Sequence, residues 1–122
     1  MNSRKVQNLT PFVPAKDFGL SSRFYKDLGF TATTKIDKAV RLEKDGYGFW
    51  LQDYYVEDWA GNFMFCLYVD DIQAWWSHIR TMDFKEAYGD TARVIAEPHD
   101  QQGGLMMQFA DSSGVLWHIR ED

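Results

Sequence analysis

An internal repeat constrains the fold of this chain more than any other feature. Asp17 has the residue type of a helix N-cap, Phe18, Ser21, Ser22, Tyr25 and Leu28 follow at helical spacing, and Gly29 stops the helix. Further along, Asp71 caps a second stretch that carries Ile72, Trp75, Trp76, Ile79 and Met82 at the same spacing, closed by Phe84. The two stretches superpose at a constant offset: Asp17 falls on Asp71, Phe18 on Ile72, Tyr25 on Ile79, Leu28 on Met82 and Phe30 on Phe84. Strand signals flank both. In the first half they are Leu9–Pro14, Phe30–Ile36, Ala39–Lys44 and Gly48–Tyr54, with Asp45-Gly46 as a turn; Pro11 and Pro14 make the first an edge strand or arm. In the second half they are Asn62–Val69, Arg93–Glu97, Leu105–Ala110 and Val115–Arg120, with Asp111-Ser112-Ser113-Gly114 as a turn. The expectation is an α+β fold of two tandem β-α-β-β-β modules, at about 8–54 and 62–120, joined by a linker at 55–61.

At 122 residues the chain suits one domain and is too short for two independent cores. With 13 basic against 18 acidic residues and a net charge of −5, it offers no cationic footprint for nucleic acid. A lone cysteine, Cys66, excludes an internal disulfide and a cysteine-cluster metal site and suits a reducing compartment. The start leads into no apolar leader, and the longest apolar run, Phe63–Val69, is far shorter than a bilayer span, so a cytoplasmic protein that avoids membranes is expected.

Period-2 alternation splits the strands into two faces. Phe49, Leu51, Phe63, Phe65, Leu67, Val69, Val115, Trp117 and Ile119 fit a face covered by helices. The alternate face carries Thr10, Phe12, Trp50, Gln52, Tyr54, Met64, Cys66, Tyr68, Leu116, His118 and Arg120, a mixture of aromatic, sulfur and hydrogen-bonding groups that suits a small-molecule cleft. Met107 and Phe109 of the penultimate strand and Trp59 of the linker complete the expected lining. In the segment 49–59, Trp50, Tyr54, Tyr55 and Trp59 interleave with Asp53, Glu57 and Asp58, a pattern that would attract an aromatic cation. For any one of these residues, plain packing or solvation is the competing explanation.

Three motifs carry a family resemblance. Asp17-Phe-Gly-Leu-Ser-Ser-Arg-Phe-Tyr-Lys-Asp-Leu-Gly-Phe30 resembles the opening of the glyoxalase/bleomycin-resistance (vicinal oxygen chelate) superfamily. Tyr68-Val-Asp-Asp-Ile72 resembles the entrance to its second repeat, and Phe109-Ala-Asp-Ser-Ser-Gly-Val-Leu-Trp-His118 its ending. The resemblance implies a curved mixed sheet around a cleft and, in metal-dependent members, four ligands at positions that read Thr10, Trp50, Met64 and His118 here. One imidazole, a thioether, a hydroxyl and an indole do not hold a divalent catalytic metal, so neither metal nor cofactor is expected. The remaining resemblance is to the metal-free bleomycin-resistance branch, which implies a homodimer with an exchanged N-terminal strand and clefts at the interface. It points to a protein that sequesters a small aromatic or cationic molecule. The alternative it leaves open is a lyase, isomerase or dioxygenase with an atypical site in which His118 transfers a proton.

Other chemistry is thin. Ser21, Ser22, Ser112 and Ser113 lack a His and carboxylate at triad spacing. Gly103-Gly104 reads as a turn, His78 as a solvated helix residue and His99 as loop.

Overall fold

The computed structural model describes residues 4–122. It contains β1 (Phe12–Pro14), α1 (Phe18–Leu28), β2 (Thr31–Ile36), β3 (Ala39–Lys44), β4 (Tyr47–Gln52), α2 (Glu57–Asn62), β5 (Met64–Tyr68), α3 (Ile72–Ile79), α4 (Phe84–Tyr88), β6 (Arg93–Gln101), β7 (Gly104–Ala110) and β8 (Leu116–Glu121). Two four-stranded mixed sheets result, ordered β1-β4-β3-β2 and β5-β8-β7-β6. In each, the first strand of a repeat pairs parallel to the last, and the other pairs are antiparallel. This is the α+β, twice-repeated frame the sequence indicates. No helix among the described residues is long and apolar enough to cross a membrane.

Capping explains where the main helices begin. The Asp17 carboxylate accepts from Leu20 N at 3.1 Å and the Asp71 carboxylate from Ala74 N at 3.1 Å, satisfying N–H groups that a first turn leaves unpaired. The second helix is shorter than its apolar spacing suggests. It stops at Ile79, where Thr81 Oγ1 donates to His78 O at 2.6 Å, and Asp83 at φ 53° turns the chain into the separate helix α4. Met82 and Phe84 remain buried beyond the break, which is why their spacing imitated one continuous helix. The segment expected as a linker holds α2, with Glu57 and Asp58 in its first turn, where the helix dipole favours acids, and Ala60 buried.

Both sheets share one core. Helix α1 lies between them: Tyr25 meets Phe49 of β4 at 5.0 Å between ring centroids and Trp117 of β8 at 5.7 Å. Phe24 meets Phe84 and Tyr88 of α4 at 5.1 and 5.0 Å. Phe49 touches Phe65 and Trp117 directly, so the two sheets face each other through these rings.

A polar knot sits inside this core. The fully buried Asp111 accepts the Tyr25 hydroxyl, and it accepts Ser113 N and Val115 N at 2.8 and 2.9 Å. Tyr25 Oη also accepts Trp117 Nε1 at 2.9 Å. Beside it, Ser21 bonds Ser112 and Ser113, and Ser113 Oγ accepts Lys16 N. Loss of hydration lifts the Asp111 carboxyl to about 6, against the opposing pull of its hydrogen bonds. An acid whose folded pKa is raised binds its proton more readily when folded, so its burial cost applies in full above about pH 6. That cost is relieved as pH falls toward the ordinary value of 3.8. Thermal melts between pH 7.5 and 4.5 should therefore show wild type gaining stability relative to Asp111→Asn, by about 2 kcal/mol at 1.36 kcal/mol per unit. Tyr25→Phe, which strands the Asp111 carboxylate and the Trp117 donor, should cost about 1–3 kcal/mol at neutral pH.

Candidate functional site

The shared core fixes where the alternate faces point. Phe49 and Leu51 turn inward at 2% and 0% exposure, so Trp50 and Gln52 between and after them turn outward; Trp117 and Ile119 turn inward and His118 outward. With the covered faces packed against each other, the outward faces point away from the molecule's centre on two different sides.

The first outward face carries Thr10, Phe12, Trp50 and Gln52. Phe12 and Trp50 are register partners across β1 and β4, their rings stacked at 6.1 Å with 14° between planes. Arg41 on β3 is the register partner of Trp50; its Nε donates to Glu43 at 2.6 Å and its Nη1 to Thr10 Oγ1 at 3.0 Å. The second outward face carries Met64, Cys66 and Tyr68 on β5 and His118 on β8, with Cys66 and His118 as register partners. Met64 and Tyr68 are largely exposed. A hydrogen bond with the neighbouring Cys66 is the first cause of a raised Tyr68 pKa. His118 Nδ1 pairs with Gln108 Nε2 at 3.1 Å, and Nε2 makes no hydrogen bond among the described residues.

Two expected lining residues belong elsewhere. Met107 and Phe109 are both 0% exposed and point into the shared core, Phe109 stacking near Trp117 at 5.9 Å. Their β7 neighbours Met106 and Gln108, register partners of Arg120 and His118, take the outward positions instead. The polarity of Gln108 between two large apolar residues was the signal for this phase. Tyr54 and Trp59 lie together at 6.3 Å at the end of β4 and the start of α2, beside rather than on the stacked face. Asp53, Glu57 and Asp58 are exposed there. Arg41 and Glu43 were missed; the alternation of β3 with buried Val40 and Leu42 would have placed them outward.

The positions that hold a metal in related folds do not suit one here. Thr10 and Trp50 lie on one outward face, Met64 and His118 on the other, and only His118 offers a strong donor to a borderline divalent ion. Among the described residues no three His, Cys, Asp or Glu side chains cluster for metal binding.

A groove of about 480 Å³ runs between the sheets where β4 begins and β5 passes, lined by Pro11, Tyr47, Phe65, Leu67, Tyr68 and Trp117 among others.

The sequence profile of the Glyoxalase/Bleomycin resistance protein/Dioxygenase superfamily matches residues 9–119. The chain belongs to this superfamily. It is 24% identical over 114 residues to a bleomycin resistance protein of Klebsiella pneumoniae, covering 90% of this chain and 88% of that one. A bleomycin-binding protein solved in complex with bleomycin superposes with a TM-score of 0.78 at 23% identity, over 96% of this chain and 99% of the other. A bleomycin resistance determinant encoded on transposon Tn5 gives 0.80 at 23% identity, over 96% and 98%. The profile match establishes the superfamily, and the structural likenesses show the bleomycin-resistance-type fold.

Metal analysis tests the donor set directly. Protein purified without chelator should carry well under one equivalent of Ni, Zn, Mn or Fe by elemental analysis. One full equivalent, lost in His118→Ala, is the contrary result and would favour a metal-dependent enzyme.

Proposed function

We propose that this member of the superfamily is a metal-free binding protein of the bleomycin-resistance type, sequestering a small aromatic compound in clefts formed between two copies of the chain. One observation carries the reading: the outward faces hold a pre-stacked Phe12–Trp50 pair on one sheet and Met64, Cys66, Tyr68 and His118 on the other, on two sheets whose covered faces pack against each other. Large exposed apolar groups of this kind mark an interface or a ligand site. A twofold arrangement that lays the first sheet of one chain against the second sheet of its partner encloses two equivalent clefts.

β1 itself pairs with β4 of its own chain, so an exchange with a partner would involve the segment before it. Residues 4–11 have no regular structure, and Val6 and Leu9 are 82% and 92% exposed, an arrangement that a partner chain would relieve. The groove beside Pro11 offers an apolar surface close to where this arm joins β1. The expectation of a cationic ligand rests on Asp53, Glu57 and Asp58, whose exposure leaves them screened by salt and water.

Sedimentation at micromolar concentration should give a species of twice the 14.2 kDa chain mass; a monomer counts against the shared cleft. A planar aromatic compound that raises the melting temperature should bind Trp50→Ala more weakly by roughly 1–3 kcal/mol, the value of a lost stack and its buried area. Asp53→Asn should change binding less. Equal affinity for wild type and Trp50→Ala would reduce the aromatic face to packing. Turnover of a bound compound that disappears in His118→Ala would instead favour the enzymatic alternative.

A further inference from the structure

Each outward face carries an arginine held flat by an acid two residues on, and the two are built alike; Arg93, which the register of β6 also directs to the second face, is exposed and donates to Thr91 O instead. On the first sheet, Arg41 Nε donates to Glu43, two residues on, and the guanidinium lies across β4 at Gly48. A Cβ at Gly48 would stand 2.9 Å from Glu43 Cγ, 3.2 Å from Arg41 Nη2 and 2.5 Å from Leu42 O. The Leu42 carbonyl and the ion pair together occupy the space a side chain would fill. On the second sheet, Arg120 Nε donates to Asp122, again two residues on, and a Cβ at Gly104 of β7 would stand 2.7 Å from Glu121 O, 2.9 Å from Asp122 Oδ1 and 3.0 Å from Arg120 Nη2. Both arginine side chains are only 12% exposed. Two hairpins of different sequence thus lay an Arg–acid pair flat over a glycine, on the faces assigned above to the ligand.

The register gives these pairs their setting. Arg41 is the partner of Trp50 and Glu43 of Gly48, so the pair borders the stacked rings. Alternation sends Lys35 and Lys44 to the opposite side with Val40 and Tyr47, leaving Arg41 and Glu43 as the ionic side chains that the strands of the first sheet direct to this face. Their charges cancel. Glu43 occupies Nε, Thr10 takes Nη1, and Nη2 of Arg41 makes no hydrogen bond among the described residues. On the other face, Arg120 Nη2 donates to Gln102 O at 3.0 Å and Nη1 makes none. Each pair therefore keeps donor capacity while contributing no net charge.

We propose that the Arg41–Glu43 pair, with its counterpart Arg120–Asp122, is a charge filter that makes the cleft select uncharged planar aromatic molecules bearing hydrogen-bond acceptors, such as ring ketones or amides. The proposal rests on the reading of the outward faces as a ligand cleft and names the ligand class. An ion entering a closed cleft gives up hydration, and that loss is tolerated only where a fixed opposite charge replaces it. Here an ammonium drawn to Glu43 meets Arg41 a few ångströms away, and a carboxylate drawn to Arg41 meets Glu43. A ring ketone loses far less water, stacks on Trp50 and accepts from the remaining Nη hydrogens.

The test uses one ring in three charge states: acridone, its N-alkyl derivative ending in trimethylammonium, and the N-alkyl derivative ending in carboxylate. Each is titrated into the full-length protein by calorimetry at physiological salt. Wild type should bind acridone at least tenfold more tightly than either charged derivative, and that ranking alone decides the proposal even where a variant fails to fold. Glu43→Gln, which leaves Arg41 unmatched, should move the ranking at least fivefold toward the carboxylate; Arg41→Gln should move it as far toward the trimethylammonium. A wild-type chain that binds the ammonium derivative as tightly as acridone, or folded variants that keep the wild-type ranking, overturns the filter while leaving the cleft in place. Failure of all three compounds to bind overturns the cleft reading and the filter with it.

Discussion

The hydroxyl of Tyr25 sits between Asp111 and Trp117, and the placement of everything else follows from that contact. Tyr25 belongs to the helix of the first repeat, Asp111 and Trp117 to the last hairpin of the second, so one buried residue joins the two halves by hydrogen bonds as well as by ring packing. A buried acid is costly to hold unless its acceptor sites are filled. Asp111 fills them from both repeats, using the Tyr25 hydroxyl and two backbone N–H groups of its own turn. Rotating one sheet against the other would break this set. The sheets are thus fixed with their helix-covered faces together, and the remaining faces are fixed outward.

That geometry divides the aromatic residues, which make up 16% of the chain. Phe24, Tyr25, Phe30, Phe49, Phe84, Tyr88, Phe109 and Trp117 are all buried in the shared core. The high aromatic content is therefore mostly structural: a small domain with two sheets and four helices fills its core with large rings that pack edge to face. Of the remaining rings, Phe12, Trp50 and Tyr68 are the ones that alternation places on the outward faces, and these bear on the proposed cleft.

The repeat and its main helices were readable because they rest on local physics: an acid at each N-cap and apolar residues every third or fourth position. Helices α2 and α4 were not, since neither has a side-chain hydrogen bond at its N-cap and each is at most six residues long. The faces of β4, β5 and β8 were legible from alternation. For β7 the same rule was available and was misapplied, because Met107 and Phe109 have the residue types of a ligand cleft as much as of a core. The Arg41–Glu43 pair was hidden for another reason. Nothing local says that an arginine will lie flat; that depends on the glycine it meets across the hairpin, and so on a register the sequence does not display.

If the proposed cleft lies between two chains, a face built this way couples ligand to assembly. In a lone chain the Phe12–Trp50 stack is wet and the half-buried arginines are covered on one side only; a second copy and a ligand would each remove part of the same surface from water. In that arrangement the ligand would contact both copies. By linkage, a ligand that binds only between two chains must tighten their association by the same factor that association tightens the ligand. Changes at Trp50 that weaken the ligand without touching the rest of the interface would then lower the ligand-dependent part of dimer stability and leave the ligand-free part unaltered, which separates a cleft at a dimer interface from a site carried by one chain.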